Sequence, residues 1–202
     1  MAPVTEIKSK SECELIAECR HGDNEAITEL FARHYPACLN VARGILHCVE
    51  ESQDAVQSAY ISAFRHLHTF RGESSFKTWM TRLVINQCRM VLRKPGRRFH
   101  WVSLDDPDTN VRTIQLTAAT PTPERFVLSQ EISSALADAM ARLPQQMREI
   151  FTLCVVSGFT VNEAAAVLGL TRAAAKTRLF RAHVRMRSRL KPLWQARQSI
   201  AA

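Results

Sequence analysis

Apolar residues recur every three or four positions through most of the chain, which is the spacing of amphipathic helices. In the first half, interruptions at Gly22, after residue 46 and at the segment RGESS divide this pattern into four predicted helices. They cover residues 11–21, from 23 or 24 to about 46, 52–69, and from 76 to a stop at Pro95-Gly96. Ser52 is expected to cap the third helix, and Ser74 or Ser75 the fourth.

The third predicted helix has one apolar and one polar face when its residues are placed at 100° intervals. The face expected to be buried carries Val56, Ala59, Tyr60, Ala63, Phe64 and Leu67. The opposite face carries Asp54, Gln57, Ser58, Ile61 and Arg65. Ile61 has two interpretations, since a single exposed apolar residue is ordinary but could also anchor a docking surface.

The fourth predicted helix combines a buried face with a basic stripe. Phe76, Met80, Leu83, Val84 and Val91 fall on the buried side, and Trp79 lies at its edge. The stripe runs at i, i+4, i+7 and i+11 and consists of Arg82, Asn86, Arg89 and Arg93. A solvated face is one interpretation, but such faces usually mix charges, and arginines beside an indole suit a single nucleic-acid strand.

The second half predicts a helix-turn-helix. One helix starts with Pro144 at its first position and ends at Gly158; Thr160 caps the next, and Gly169-Leu170 turns the chain. Thr171 then caps RAAAKTRLFRAHVRMRSRL, whose inward face is Ala175, Leu179, Ala182 and Met186. Its outward face carries Arg172, Ala173, Lys176, Thr177, Phe180 and Arg181.

The outward face suits the major groove of duplex DNA. Arg172 and Lys176 can reach guanine edges, and Ala173 and Thr177 can touch thymine methyl groups. Phosphate contacts are assigned to Arg178, Arg181 and Arg185. The alternative is a basic helix on a helical bundle without a role in DNA binding.

The stretch between the two halves, residues 99–128, holds three prolines and no sustained helical period. We therefore predict an all-α chain of two small helical domains, residues 1–98 and 129–202, joined by an extended linker. No apolar run of about 18 residues occurs and the N-terminus lacks a signal-peptide core, so we expect a cytoplasmic protein without membrane insertion.

Charge changes this picture by pointing to a polyanionic partner. The 202 residues carry a net charge of +8, which is unevenly distributed. Residues 12–56 hold nine acids and three bases, 65–98 nine bases and one acid, and 171–191 eight bases and no acid. The two basic segments coincide with the fourth predicted helix and the last one, which favours nucleic acid as the partner.

Neither the cysteines nor the histidines form a recognisable catalytic motif. The six cysteines form no CxxC pair, so free thiols are expected; metal binding or oxidant sensing through Cys13 and Cys19, or His47-Cys48 beside two glutamates, is the alternative. There is no glycine-rich phosphate loop and no nucleophile elbow. No catalytic constellation is therefore apparent, and we expect no cofactor and neither catalytic nor metal-binding residues.

Two segments in this order resemble the extracytoplasmic-function sigma factors, the two-domain initiation subunits of bacterial RNA polymerase. SQDAVQSAYISAFRHLHTFRGESSFKTWMTRLVINQCRMVLRK is similar to the second conserved region of that family. LPQQMREIFTLCVVSGFTVNEAAAVLGLTRAAAKTRLFRAHVRMRSRL is similar to the fourth. The linker position matches as well, so the resemblance covers nearly the whole chain.

The resemblance implies partners and roles for these residues. Contact with the β′ clamp coiled coil of core polymerase would be made by Asp54, Gln57, Ser58, Ile61 and Arg65. The β subunit of core polymerase would be a further partner. Ser58 stands where the family usually has an acid. Trp79, Arg82, Asn86, Arg89 and Arg93 would open and capture the promoter −10 element. Arg172, Ala173, Lys176, Thr177, Arg178, Phe180 and Arg181 would read the −35 element, with three alanines at 173–175 where the family often has GTV.

The resemblance also implies a non-enzymatic promoter-specificity subunit, whose linker threads toward the polymerase active centre and which an anti-sigma factor commonly holds inactive. Two other functions stay open at the sequence level. One is a stand-alone helix-turn-helix transcriptional regulator with an N-terminal sensor domain, and the other is an enzyme or metal sensor that uses the cysteines. The basic stripe of the fourth helix distinguishes the promoter-specificity subunit from the stand-alone regulator, because a sensor domain needs no single-strand surface.

Overall fold

The computed structural model describes residues 9–94 and 123–200, and the side chains at 9–94 and 132–191. The described residues form helices and turns and include no strand. The α-helices are α1 (Glu12–Arg20), α2 (Asn24–Leu46), α3 (Val49–His66), α4 (Phe76–Arg93), α5 (Pro123–Ala141), α6 (Gln145–Phe151), α7 (Val161–Leu168) and α8 (Arg172–Ile200). None of the helices within these ranges is long and apolar enough to cross a membrane.

The helices form two compact units. The first contains α1, α2, nearly all of α3, and α4, and the second contains α5 to α8. The prediction of two all-α domains is confirmed, while residues 95–122, where most of the predicted linker falls, lie outside the described residues. The predicted boundary at residue 98 lies there too.

Short polar side chains define the helix starts of the first unit. Ser11 accepts from the Glu14 N–H while the Glu14 carboxylate accepts from the Ser11 N–H, which is a reciprocal capping box. Asp23 caps α2, with Oδ1 accepting from Glu25 N at 2.9 Å and Ala26 N at 3.1 Å. Of the two serines predicted as caps for α4, Ser75 fills the position.

The start of α3 differs from the prediction. The helix begins at Val49, three residues early, and Ser52 is fully buried inside it instead of capping it. Glu50 and Glu51 occupy the first turn, where carboxylates favour the helix dipole. His47, at a φ of 54°, turns the chain directly after α2, so only two residues separate the helices. The end differs as well, because Leu67–Thr69 forms a 3₁₀ turn.

The second unit begins earlier than predicted. The linker was expected to run through residue 128, but α5 already starts at Pro123, so residues 123–128 belong to a helix. Proline suits this place because the first residues of a helix do not need their N–H groups for helical bonding. At its other end, α5 packs Ala139 and Met140 against Phe151 of α6 and Met186 of α8.

The helix-turn-helix forms at the predicted turns. Pro144 is the cap of α6 instead of its first residue, and α6 continues into a π-helical turn, Thr152–Val156, before Gly158. Thr160 and Glu163 form a second capping box at the start of α7. Gly169 ends α7 at a φ of 68°, a left-handed conformation that glycine adopts without steric cost. Thr171 Oγ1 then accepts from Ala174 N at 3.2 Å.

A buried arginine ties α6 to the end of α5. Arg148 Nη2 donates to Ala141 O at 2.6 Å and to Leu143 O at 3.0 Å. Both carbonyls belong to the last turn of α5 or the residues just after it, where helical acceptors lose their intrahelical partners. The guanidinium therefore satisfies the end of one helix while its own backbone lies in the next.

We predict that Arg148→Met lowers the stability of the second unit by about 2 kcal/mol, because one buried and one partly buried carbonyl acceptor lose a charged donor. Arg142→Met is the control, since Arg142 is exposed and its loss should change stability by less than about 0.5 kcal/mol. Hydrogen exchange of α6 and α8 amides in the full chain measures both changes. Equal protection in the Arg148 variant and the unmodified chain would contradict this role.

Candidate nucleic-acid and protein interfaces

The outer side of α3 exposes the polar face predicted from the sequence. Asp54, Gln57, Ser58, Ile61 and Arg65 are all exposed, and 49% of the Ile61 surface remains accessible. We call these five residues the docking face. It is a polar surface with one branched apolar side chain near its middle, which is how protein interfaces usually place an anchor.

The inner side of α3 holds the docking face in place. Val56, Ala59 and Ala63 are buried, as predicted. The Tyr60 hydroxyl donates to Phe31 O of α2 at 3.0 Å, and its ring meets Phe31 edge-on at a centroid distance of 5.0 Å. Burial raises the pKa of the Tyr60 phenol above its ordinary value, so the hydroxyl stays a neutral donor.

Phe64 is a correction to the predicted core of α3. Its ring is 56% exposed, whereas the helical projection placed it on the buried face. It lies at the border of an open groove of about 590 Å³ between α2 and α3. The groove is lined by Asn24, Ile27, Thr28, Phe31, Ala32, Tyr35, Tyr60 and Phe64. The apolar stripe of α3 is wider than the contact of this helix with α2. Phe64, the last aromatic residue of the stripe, is therefore exposed to solvent.

Phe76 is the centre of an aromatic cluster at the start of α4. Its ring is buried and lies 5.6 Å from Phe70, 5.6 Å from Trp79 and 6.2 Å from Phe31, between centroids. Trp79 also contacts Phe70 at 5.3 Å and is half-buried. The cluster therefore fixes the indole at the border between core and surface, where the sequence placed it.

His34 closes the cluster on the side of α1. Its ring lies 5.1 Å from Phe76, and its Nε2 is 3.1 Å from a carboxylate oxygen of Glu12. Burial lowers the pKa of His34, and this effect exceeds the opposing effect of Glu12. The imidazole is thus neutral at physiological pH, which suits its contact with an aromatic ring.

The predicted stripe of α4 reaches the surface over its whole length. Arg82, Asn86 and Arg93 are exposed, Arg89 is half-buried, and α4 contains no acidic residue. Its buried side holds Phe76, Met80 and Val84 as predicted, together with Thr81, Ile85 and Cys88. Leu83 and Val91 are only partly buried because they border the stripe. A cationic ridge beside a half-buried indole can hold phosphates and an unstacked base.

Within the described residues, the outward face of α8 is accessible to a partner. Ala175, Ala182 and Met186 are buried, and Leu179 is partly buried, so the inward face is as predicted. Of the residues assigned to DNA contacts, Arg178 is half-buried. The exposed ones are Arg172, Ala173, Lys176, Thr177, Phe180, Arg181 and Arg185.

Two exposed apolar side chains mark the third and fourth turns of α8. The Phe180 ring is 69% accessible and Val184, one turn later, is 51% accessible. Phe180 was assigned from the sequence to the outward face, but Val184 was missed. Its spacing of four residues from Phe180 was the available signal.

None of the six cysteines, all of which lie in the described residues, forms a disulfide. Cys19, Cys38 and Cys88 are buried, Cys13 is exposed, and Cys48 and Cys154 are partly buried. Burial raises the pKa of the Cys19 and Cys38 thiols to about 11, which keeps them protonated and unreactive. Within residues 9–94 and 123–200, no three His, Cys, Asp or Glu side chains are grouped so that they could hold a metal ion.

Two protein-family models match this chain in consecutive segments. The family described as Sigma-70 region 2 matches residues 30–98, which contain most of α2 and all of α3 and α4. The family described as Sigma-70, region 4 matches residues 133–186, which contain the helix-turn-helix. Both basic surfaces lie inside these matches.

Curated relatives match over most of their length. The chain is 29% identical to the RNA polymerase sigma-H factor of Pseudomonas aeruginosa over 188 residues, covering 89% of this chain and 94% of the relative. It is 29% identical to the ECF RNA polymerase sigma-E factor of Escherichia coli over 182 residues, with the same two coverages. Among solved structures, CnrH in complex with the cytosolic domain of CnrY is 25% identical, with a TM-score of 0.65 over 88% of this chain and 96% of that one.

These matches decide between the functions that the sequence left open. A stand-alone regulator with a sensor domain is not favoured, because its N-terminal half would have no reason to match Sigma-70 region 2. Both Sigma-70 regions are present in this chain, with region 2 before region 4. The chain belongs to the extracytoplasmic-function sigma factors and is an RNA polymerase sigma factor that binds core polymerase and promoter DNA.

Proposed function

We propose that this sigma factor binds core polymerase through the docking face of α3, opens the −10 element with α4, and reads the −35 element with α8. The observation that carries the proposal is the acid-free ridge of α4 beside Trp79. A domain that only sensed a signal or only bound a protein would have no use for a cationic single-strand surface. The three roles use different faces, so each can be tested separately.

The docking face suits the β′ clamp coiled coil. Ile61 supplies apolar contact area, and Asp54, Gln57 and Arg65 can form hydrogen bonds around it. Ser58 is neutral where the family usually carries an acid, so Ile61 would supply a larger share of the binding free energy here. Contact with the polymerase β subunit would involve other surfaces.

On α4, strand opening requires a receiving site for bases that leave the duplex stack. Trp79 offers a ring face, Asn86 offers an amide that can pair with a base edge, and Arg82 and Arg93 offer cations to neighbouring phosphates. These groups lie on one side of one helix whose core is fixed by Phe76. The site is therefore rigid before DNA arrives, which lowers the entropic cost of binding.

On α8, the first two turns supply base contacts and the later turns supply phosphate contacts. Arg172, Ala173, Lys176 and Thr177 lie at the N-terminal end, which recognition helices direct into the major groove. Arg178 and Arg181 would bind phosphates, and Phe180 would pack against the sugar or a thymine methyl group. The alanines in place of GTV predict a −35 preference that differs from that of the relatives.

We further propose that the protein is not an enzyme, needs no cofactor and acts in the cytoplasm, where RNA polymerase works. The buried thiols of Cys19 and Cys38 stay protonated, and no cluster of side chains in the described residues can hold a metal ion. An anti-sigma factor is a proposed partner, supported by the relative CnrH, which was solved with the cytosolic domain of a second protein.

Transcription in vitro with core polymerase on a library of promoters tests the proposal as a whole. We expect the chain alone to bind promoters poorly, and the holoenzyme to start transcription from sequences that share a −35 and a −10 element. A chain that binds one duplex tightly without core polymerase, and adds no initiation to core, would instead be a stand-alone regulator.

We predict that Ile61→Glu weakens binding to core polymerase by about 2 kcal/mol or more, as expected for a buried interface anchor. The helix should stay folded, because the side chain contributes nothing to the core of α3. Titration of labelled chain with core polymerase measures the affinity. Met90→Glu, which changes an exposed apolar residue of α4, is the control and should bind core normally. Unchanged affinity of the Ile61 variant would exclude Ile61 as the anchor.

We predict that Arg172→Ala and Lys176→Ala each cost about 1–3 kcal/mol on the correct −35 element and relax base preference there. Arg181→Ala should weaken binding about equally on all sequences, because phosphate contacts carry no sequence information. Competition binding of holoenzyme to −35 variants separates the two patterns. Equal losses for all three variants on every sequence would refute the division into base and phosphate contacts.

We predict that Asn86→Ala slows open-complex formation while thermal stability and core binding stay nearly unchanged, since the side chain is exposed on the stripe. Permanganate reactivity of −10 thymines measures opening. A pre-melted bubble that spans −10 should restore most of the activity if the defect lies in strand separation. Opening of duplex promoter at the unmodified rate would remove Asn86 from the capture site.

A further inference from the structure

Arg20, the last residue of α1, contacts the chain 50 positions further on. Its Nη2 donates to the carbonyl oxygen of Phe70 at 2.9 Å. Leu15 and Cys19 of the same helix are buried and already pack α1 on the unit. The bond adds a long-range contact between the end of α1 and the start of the loop before α4.

At that other end, Phe70 joins the 3₁₀ turn to the loop before α4. Its N–H donates to Leu67 O at 3.0 Å, and its ring packs on Phe76 and Trp79. From its carbonyl the chain enters the exposed segment 71–73, which turns at Gly72 with a φ of 78°. The loop that contains this segment ends at Ser75, whose Oγ accepts from Thr78 N at 3.2 Å. The loop is thus held at its start by Arg20 and at its end by a helix cap.

We infer that Arg20 is a positioning residue for promoter opening. By holding the Phe70 carbonyl, it fixes the peptide that sets the direction of the loop and the plane of the Phe70 ring. That ring is one of the two that hold Trp79 at the border of the α4 stripe. Without the bond, the loop gains backbone freedom, and the surface that receives an unstacked base is no longer formed in advance. This inference rests on the proposed role of α4 in opening the −10 element.

Arg33 provides a matched control on the same unit. It is also exposed and also donates to a carbonyl outside its own helix, from Nη1 to Lys10 O at 2.8 Å. The Lys10 carbonyl precedes the start of α1, whereas the Arg20 bond joins the last residue of α1 to Phe70. Arg33→Met removes this bond, together with the ion pair from Arg33 Nε to Glu29 Oε1 at 2.7 Å, without touching Phe70. Arg20→Met removes the bond that holds the loop.

The experiment uses the full chain with Trp101 and Trp194 replaced by Phe, so that Trp79 is the single indole. Arg20→Met should slow opening of duplex promoter about fivefold, the effect of losing roughly one partly buried charged hydrogen bond. It should also raise acrylamide quenching of Trp79, while core affinity stays within twofold. Arg20→Lys, which keeps a donor, should recover most of the rate, and a pre-melted −10 bubble should do the same. Arg33→Met should match the unmodified chain in both rate and quenching.

Three outcomes would overturn the inference, and they separate it from the proposed function. Unmodified opening by Arg20→Met together with slow opening by Asn86→Ala removes Arg20 and leaves the role of α4 intact. Unmodified opening by both variants removes the role of α4 as well. An equal loss in Arg20→Met and Arg33→Met shows a general effect of destabilising α1 and excludes positioning.

Discussion

The packing of one phenyl ring, that of Phe76, sets the geometry of the first unit. The ring belongs to the first residue of α4, yet it contacts Phe31 and His34 of α2 and Phe70 of the preceding turn. Because Phe31 also receives the Tyr60 hydroxyl bond through its carbonyl, α3 is tied to the same point. The orientations of the docking face and of the α4 stripe thus derive from one buried aromatic cluster. The cluster stabilises them through the apolar surface area that it buries and through edge-to-face contacts between its rings.

The second unit uses small residues where α7 and α8 pack together, beside bulkier core side chains such as Phe151. Ala175 and Ala182 are fully buried on α8, and Ala164 is fully buried on α7. These small side chains let the two helices approach closely, and Gly169 allows the chain to reverse between them. Arg148 supplies the polar complement by binding the carbonyls at the end of α5. The recognition helix is therefore held by close backbone packing on one side and left accessible on the other.

Much of this arrangement follows from periodicity and capping chemistry, which are local. The caps at Ser75, Thr160 and Thr171, the turn at Gly169 and the inward face of α8 could all be predicted, because each depends on residues within one or two helical turns. The exposed docking face and stripe were predicted for the same reason. Their roles in binding polymerase and DNA remain predictions.

The errors arose at a helix start and at positions where contacts with other elements decide the outcome. Ser52 looked like a cap, but the acidic first turn at Glu50 and the reversal at His47 allow the helix to start earlier. Phe64 looked like a core residue, but it borders an open groove between α2 and α3 that leaves its ring exposed. The bond from Arg20 to Phe70 joins positions 50 residues apart and left no trace in the local pattern.

The separation of buried and outward-facing side chains on α8 has an evolutionary consequence. The side chains that hold the helix in the unit, Ala175, Ala182 and Met186, are different from those directed outward, such as Arg172, Ala173 and Lys176. Exposed substitutions usually change folding stability by less than about 0.5 kcal/mol. A duplicated copy of this gene could therefore acquire a new set of target promoters through a few outward changes without first needing compensating mutations in the core.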